Sequence, residues 1–109
     1  AFEKIMSAIA EAMGIEVPED FNYANRKTLL ESIKEKDGEI YQHLNGLIIS
    51  YESYLFTKQD KTMLLKAPDI FNMEKKRILG DLEQSKETLA MTAKKYGLDI
   101  ENLLDGIKI

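Results

Sequence analysis

Two long stretches of helical periodicity, residues 39–66 and 69–96, occupy about half of this chain and meet at Ala67-Pro68-Asp69. The second stretch carries apolar residues at helical spacing, namely Ile78, Leu79, Leu82, Leu89, Ala93 and Tyr96. A stripe of this kind is stable only when it is buried against another helix, in the same chain or in a second one. The sequence therefore predicts a long antiparallel helical hairpin.

The first stretch is apolar around most of its circumference between residues 46 and 56, which predicts that it lies at the centre of a bundle. Its core-facing candidates are Ile40, Leu44, Leu47, Ile48, Tyr51 and Leu55. Thr57-Lys58-Gln59-Asp60 is a candidate break, after which Met63, Leu64 and Leu65 resume the apolar face. The sequence leaves open whether the helix continues through Thr57.

Three shorter helices complete the prediction. One covers residues 2–13 and ends at Gly14, and a second covers residues 23–36, with Asn22 or Asn25 as its cap. A short C-terminal helix follows Asp99 and ends at Gly106. We therefore expect one all-α domain over residues 1–109, a bundle of four main helices with a short C-terminal one.

The same helix ending is predicted twice. Ala10-x-x-Met13-Gly14-Ile15 and Ala93-x-x-Tyr96-Gly97-Leu98 share a spacing in which glycine follows the last helical residue and an apolar residue follows glycine. This order is typical of a helix closed by a glycine in the left-handed conformation.

Composition narrows the class of protein. The chain lacks cysteine, which excludes disulfides and thiolate metal sites. A net charge of −4 disfavours nucleic acid and anionic membrane surfaces as partners, because both require basic side chains. The apolar cluster Leu47-Ile48-Ile49 is far too short to span a bilayer. We therefore expect a soluble, cytoplasmic protein without a membrane partner.

One segment offers an alternative function. Ile9-Ala10-x-x-Met13-Gly14-Ile15 resembles the first helix and turn of a helix-turn-helix protein, which implies a DNA-binding regulator that uses residues 9–27. Pro18, Glu19 and Asp20 depart from that pattern, since they stand where the recognition helix should begin. DNA binding would also require Arg26 and Lys27 to share one exposed face with Lys75-Lys76-Arg77.

Catalysis has little support in the sequence. His43 is the sole histidine, and we expect it to be at least partly exposed and paired with Glu39, one helical turn away. The carboxylates are numerous but dispersed, so no catalytic residue, cofactor or metal ligand is predicted. An enzyme centred on His43 is a third hypothesis, and it needs a pocket with a carboxylate within hydrogen-bonding reach.

The favoured hypothesis is a protein–protein interaction module of the adaptor, chaperone or inhibitor type. Tyrosine, phenylalanine and methionine suit such a surface, and the candidate interaction residues are Tyr54, Phe56, Phe71 and Met73. The partner is another protein or a second copy of the chain. We interpret the basic run at residues 75–77 as a solvated face in which Arg77 pairs with Asp81.

Overall fold

A computed structural model describes residues 2–107 of the chain. Along these residues run the helices α1 (Glu3–Ala12), α2 (Tyr23–Lys36), α3 (Gly38–Gln59), α4 (Lys61–Lys66), α5 (Pro68–Ala93) and α6 (Glu101–Asp105). A 3-10 turn, Lys94–Tyr96, extends α5, and no strand occurs within residues 2–107. The predicted all-α class is confirmed. No helix of this part of the chain is long and apolar enough to cross a membrane.

Short polar side chains start α2, α3 and α4. Asn22, and not Asn25, caps α2, because its Oδ1 accepts a hydrogen bond from the backbone N–H of Asn25 at 2.8 Å. Asp37 caps α3 by accepting from the N–H groups of Glu39 and Ile40 at 3.0 and 3.2 Å. Asp60 caps α4 in the same way. These caps fix the positions where the chain changes direction.

The repeated glycine ending is confirmed at both places. Gly14 and Gly97 have φ angles of 75° and 67°, in the left-handed region. The N–H of Ile15 donates to the carbonyl of Ala10 at 2.8 Å, and that of Leu98 donates to the carbonyl of Ala93 at 3.3 Å. Each bond closes its helix because it satisfies a carbonyl of the last turn.

The helix predicted over residues 39–66 is two helices. α3 ends at Gln59, Asp60 leaves helical geometry, and α4 begins at Lys61, so the candidate break is real. The side chain of Asp60 accepts from the N–H of Met63 at 3.0 Å, which favours a new helix over continuation of the old one. The second long helix, α5, begins at Pro68, where proline's missing N–H costs nothing.

The core lies between α3 and α5, which make the most extensive interhelical contact, and α1, α2 and α6 pack around it. Its largest fully buried side chains are Ile5, Met6, Ile9, Leu29, Ile33, Ile40, Leu44, Leu47, Leu82, Leu89 and Ile100. The central position predicted for the first long stretch is thus confirmed. Tyr96 was wrongly assigned to the buried stripe. It is 37% exposed because α5 tightens into the 3-10 turn before reaching it.

The molecule is elongated, with extents of 49 × 28 × 22 Å. The main core reaches Ile48 on α3 and begins again at Leu82 on α5. The segment between these levels, residues 54–79, comprises the end of α3, all of α4 and the beginning of α5, and we call it the hairpin tip. Within it, Tyr54, Phe71 and Ile78 are buried but do not belong to the main core.

Candidate functional site

Exposed apolar side chains concentrate at the hairpin tip. Of nine large exposed apolar side chains among residues 2–107, five lie there, and we call them the tip surface: Phe56, Leu64, Leu65, Ile70 and Met73. Leu65, Phe56 and Met73 are 83%, 76% and 72% exposed. Single exposed apolar residues are ordinary, but a concentration at one end of a molecule is typical of an interaction site.

The tip is also basic. Residues 54–79 contain six basic and three acidic side chains, a net charge of +3, whereas the whole chain carries −4, so the remainder carries −7. Five tip lysines have no carboxylate within ion-pairing distance among the described residues, namely Lys58, Lys61, Lys66, Lys75 and Lys76. The apolar tip surface therefore belongs to a segment with five ammonium groups that no carboxylate of the described residues pairs with.

Arg77 differs from these lysines. Its guanidinium lies 2.9 Å from Glu74 and 3.3 Å from Asp81, so the predicted pair with Asp81 is confirmed and a second partner is added. The hydrogen bond to Glu74 raises the pKa of Arg77 above its usual value. Because Arg77 is engaged within its own helix, the excess charge available to a partner belongs to the lysines.

The four candidate interaction residues do not share one exposed surface. Phe56 and Met73 are exposed, but Tyr54 and Phe71 are 3% and 6% exposed. In this conformation, Tyr54 and Phe71 are therefore too buried to contact a partner directly. Both side chains are buried within the hairpin tip.

Sequence reasoning missed three members of the tip surface. Leu64 and Leu65 were expected on the apolar face of a long helix, and Ile70 was not singled out. All three are exposed. The available signal was the position of Asp60 and Pro68 on either side of a seven-residue segment, since a capping residue and a proline isolate a short helix. A helix of one or two turns buries few of its side chains.

His43 lies in a shallow groove of about 480 Å³ on the open side of the α3–α5 pair. The groove also contains Asp81, but the Asp81 carboxylate pairs with Arg77. The predicted pair between Glu39 and His43 is wrong, because Glu39 lies 3.6 Å from Lys95 instead. No hydrogen bond links His43 to a carboxylate within residues 2–107, and no three metal-ligating side chains come together there.

The segment that resembles a helix-turn-helix is built differently from that motif. Residues 13–22 join α1 to α2 as a ten-residue connection, where the motif has a turn of about three or four residues. Arg26 and Lys27 lie on α2, which packs against α1 and α3, whereas Lys75-Lys76-Arg77 lie on α5 at the tip. The geometry therefore adds nothing in favour of DNA binding.

No protein-family model, curated protein or solved structure matches this chain significantly. Function is therefore inferred from the surface of the molecule. The hairpin tip is distinguished by its exposed apolar residues and by its lysines without an ion-pair partner among the described residues.

Proposed function

We propose that this protein is a non-catalytic protein–protein interaction module that binds its partner through the hairpin tip. The observation that carries the proposal is the exposure of Phe56, Leu64, Leu65, Ile70 and Met73 together at one end of an elongated molecule. Covering one fully exposed leucine or phenylalanine contributes about 1.5–3 kcal/mol, so a partner that covers several gains substantial free energy.

The construction of the tip supports the same proposal. Tyr54, Phe71 and Ile78 are buried although they lie outside the main core, so the tip has buried apolar residues of its own. The ring of Tyr54 additionally has Lys58 Nζ 6.0 Å from its centroid. A preformed surface of this kind loses less conformational entropy on binding than a flexible loop would.

Site-specific photo-cross-linking tests the proposal. A photoreactive amino acid replaces Leu65 in the tip surface, and a matched variant carries it at Tyr23, which is 82% exposed but lies on α2. We expect the Leu65 position to give a discrete protein adduct in lysate of the source organism, and unmodified wild-type protein to compete for it. Protein that carries Phe56→Ser and Met73→Ser should not compete for this adduct.

Two results would overturn this function. One is an equal yield of adducts from Leu65 and Tyr23, which would indicate nonspecific contact. The other is undiminished competition by the Phe56→Ser, Met73→Ser chain, which would place the binding surface elsewhere.

A further inference from the structure

A second surface of the molecule has the chemistry opposite to that of the tip. The end of α5 and α6 form an open groove of about 600 Å³, whose apolar lining residues are Ala90, Met91 and Leu104. Its walls carry four carboxylates, from Glu83, Glu87, Glu101 and Asp105, against the ammonium groups of Lys86 and Lys94. We call this surface the acidic groove.

Local ion pairs leave the groove negative. Lys86 lies 3.7 Å from Glu83, and Lys94 lies 3.9 Å from Glu101. Glu87 and Asp105 have no ion-pair partner among residues 2–107. The groove therefore fits a short segment with apolar residues and unpaired lysines.

α4 is such a segment. Its sequence, Lys61-Thr62-Met63-Leu64-Leu65-Lys66, places a lysine at each end and two exposed leucines between them. Neither Lys61 nor Lys66 has a carboxylate within ion-pairing distance in the part of the chain that the structure describes. We propose that the hairpin tip of one copy binds the acidic groove of a second copy, and that the two copies form an antiparallel two-fold dimer.

The geometry of α5 makes this arrangement closed. Met73 at the tip and Met91 in the groove are eighteen residues apart, a whole number of turns, so they lie on the same face of one helix at a separation of about 27 Å. Both side chains are exposed. When two copies align antiparallel along this face, Met73 of each copy meets the partner's groove, and the same contact occurs twice around the two-fold axis.

The inference deepens the proposed function, because it names a second copy as an occupant of the tip surface, and it rests on that function. Charge complementarity favours a second copy as this occupant, since the tip carries +3 and the rest of the chain −7. An unrelated acidic protein at the tip is the competing outcome, and it would leave the chain monomeric by itself.

Charge reversal with mixing tests the dimer. The first measurement is the solution mass of the wild-type chain at about 100 µM in low salt, where the mass should be twice the 12.5 kDa of one chain. The dimer should dissociate at about 0.5 M salt, because surface ion pairs are screened there. Two double variants follow, a tip variant (Lys61→Glu, Lys66→Glu) and a groove variant (Glu87→Lys, Asp105→Lys).

Each variant by itself should be monomeric, because like charges then face each other in both contacts. An equimolar mixture should restore the dimer mass, because both contacts of the mixed pair join opposite charges. A control variant, Lys4→Glu with Lys27→Glu, makes the same change in net charge on α1 and α2 and should remain dimeric. Restoration on mixing also shows that both variants are folded.

Three outcomes would overturn the dimer: a wild-type monomer at the highest concentration, a mixture that stays monomeric, or a mass that keeps growing beyond two chains. A wild-type monomer whose Leu65 cross-linker still captures a different protein would overturn the dimer alone. Loss of every tip-dependent adduct would overturn the proposed function as well.

Discussion

Tyr96 donates a hydrogen bond of 2.7 Å to Oδ2 of Asp37, across 59 positions of the sequence. The same Oδ2 lies 3.2 Å from Nζ of Lys95, while Oδ1 of Asp37 caps α3. The hydrogen bond from Tyr96 is the main reason that the pKa of Asp37 falls from 3.8 to about 2. One carboxylate thus starts the central helix and ties it to the end of α5.

This network should make stability depend on pH in acid. The folded-state pKa of Asp37, about 2, lies below the unfolded value of 3.8, so the contribution is complete above pH 3.8 and is lost as the pH falls through 2. We expect it to be about 1 kcal/mol after solvent screening. Urea unfolding of wild type and Asp37→Asn between pH 2 and pH 6 measures it, and the difference in free energy should shrink toward low pH.

Glu11→Gln provides the control, since Glu11 is exposed, lies outside the tip and the acidic groove, and makes no ion pair among the described residues. Its difference from wild type should stay constant over the same range. A constant difference for Asp37→Asn as well would show that the network does not stabilise the charged carboxylate.

Much of the fold was predictable because its signals are local. The predicted bounds of α2, residues 23–36, agree with the observed helix Tyr23–Lys36, because a capping asparagine and the Asp37-Gly38 pair mark its two ends. The two glycine endings were predictable for the same reason. The contact between Tyr96 and Asp37 was not, because nothing in either neighbourhood specifies a partner 59 residues away.

The candidate site was only half predictable. Of the four residues predicted to bind a partner, Phe56 and Met73 are exposed, whereas Tyr54 and Phe71 are buried. All four residues suit an interface by type, so residue type cannot separate them. Their burial depends on how α3 faces α5 at the tip, and that rotation is set by tertiary packing.

Two glycines should respond in opposite directions to alanine. Gly97 has a φ angle of 67°, so Gly97→Ala should destabilise the protein by about 1 kcal/mol. Gly46 lies inside α3, and an added Cβ there meets nothing within 4 Å, so Gly46→Ala should stabilise it by about 0.5–1 kcal/mol. Thermal unfolding of both variants checks the pair. Shifts of the unfolding temperature in the same direction for both variants would contradict this prediction.

The cap on α4 should control the local stability of the tip. Asp60→Ala removes the acceptor for the N–H of Met63, which costs about 1 kcal/mol. Hydrogen exchange of the α4 amides should accelerate about five-fold while amides of the core helices change little. Asp60→Asn keeps a capping oxygen and should exchange like wild type. Uniform acceleration throughout the chain would show that the tip does not open separately.

Core and tip leucines should differ sharply in their contribution to folding. Leu82 on α5 is fully buried in the main core. Leu82→Ala should therefore lower the free energy of unfolding by about 2–5 kcal/mol, through lost burial and the cavity left behind. Leu65 is 83% exposed, so Leu65→Ala should change the free energy of unfolding by less than about 0.5 kcal/mol. Urea unfolding at low protein concentration, where self-association is minimal, compares the two. A large loss of stability in Leu65→Ala under these conditions would mean that Leu65 is packed within its own chain, and the tip surface would then lose its most exposed member.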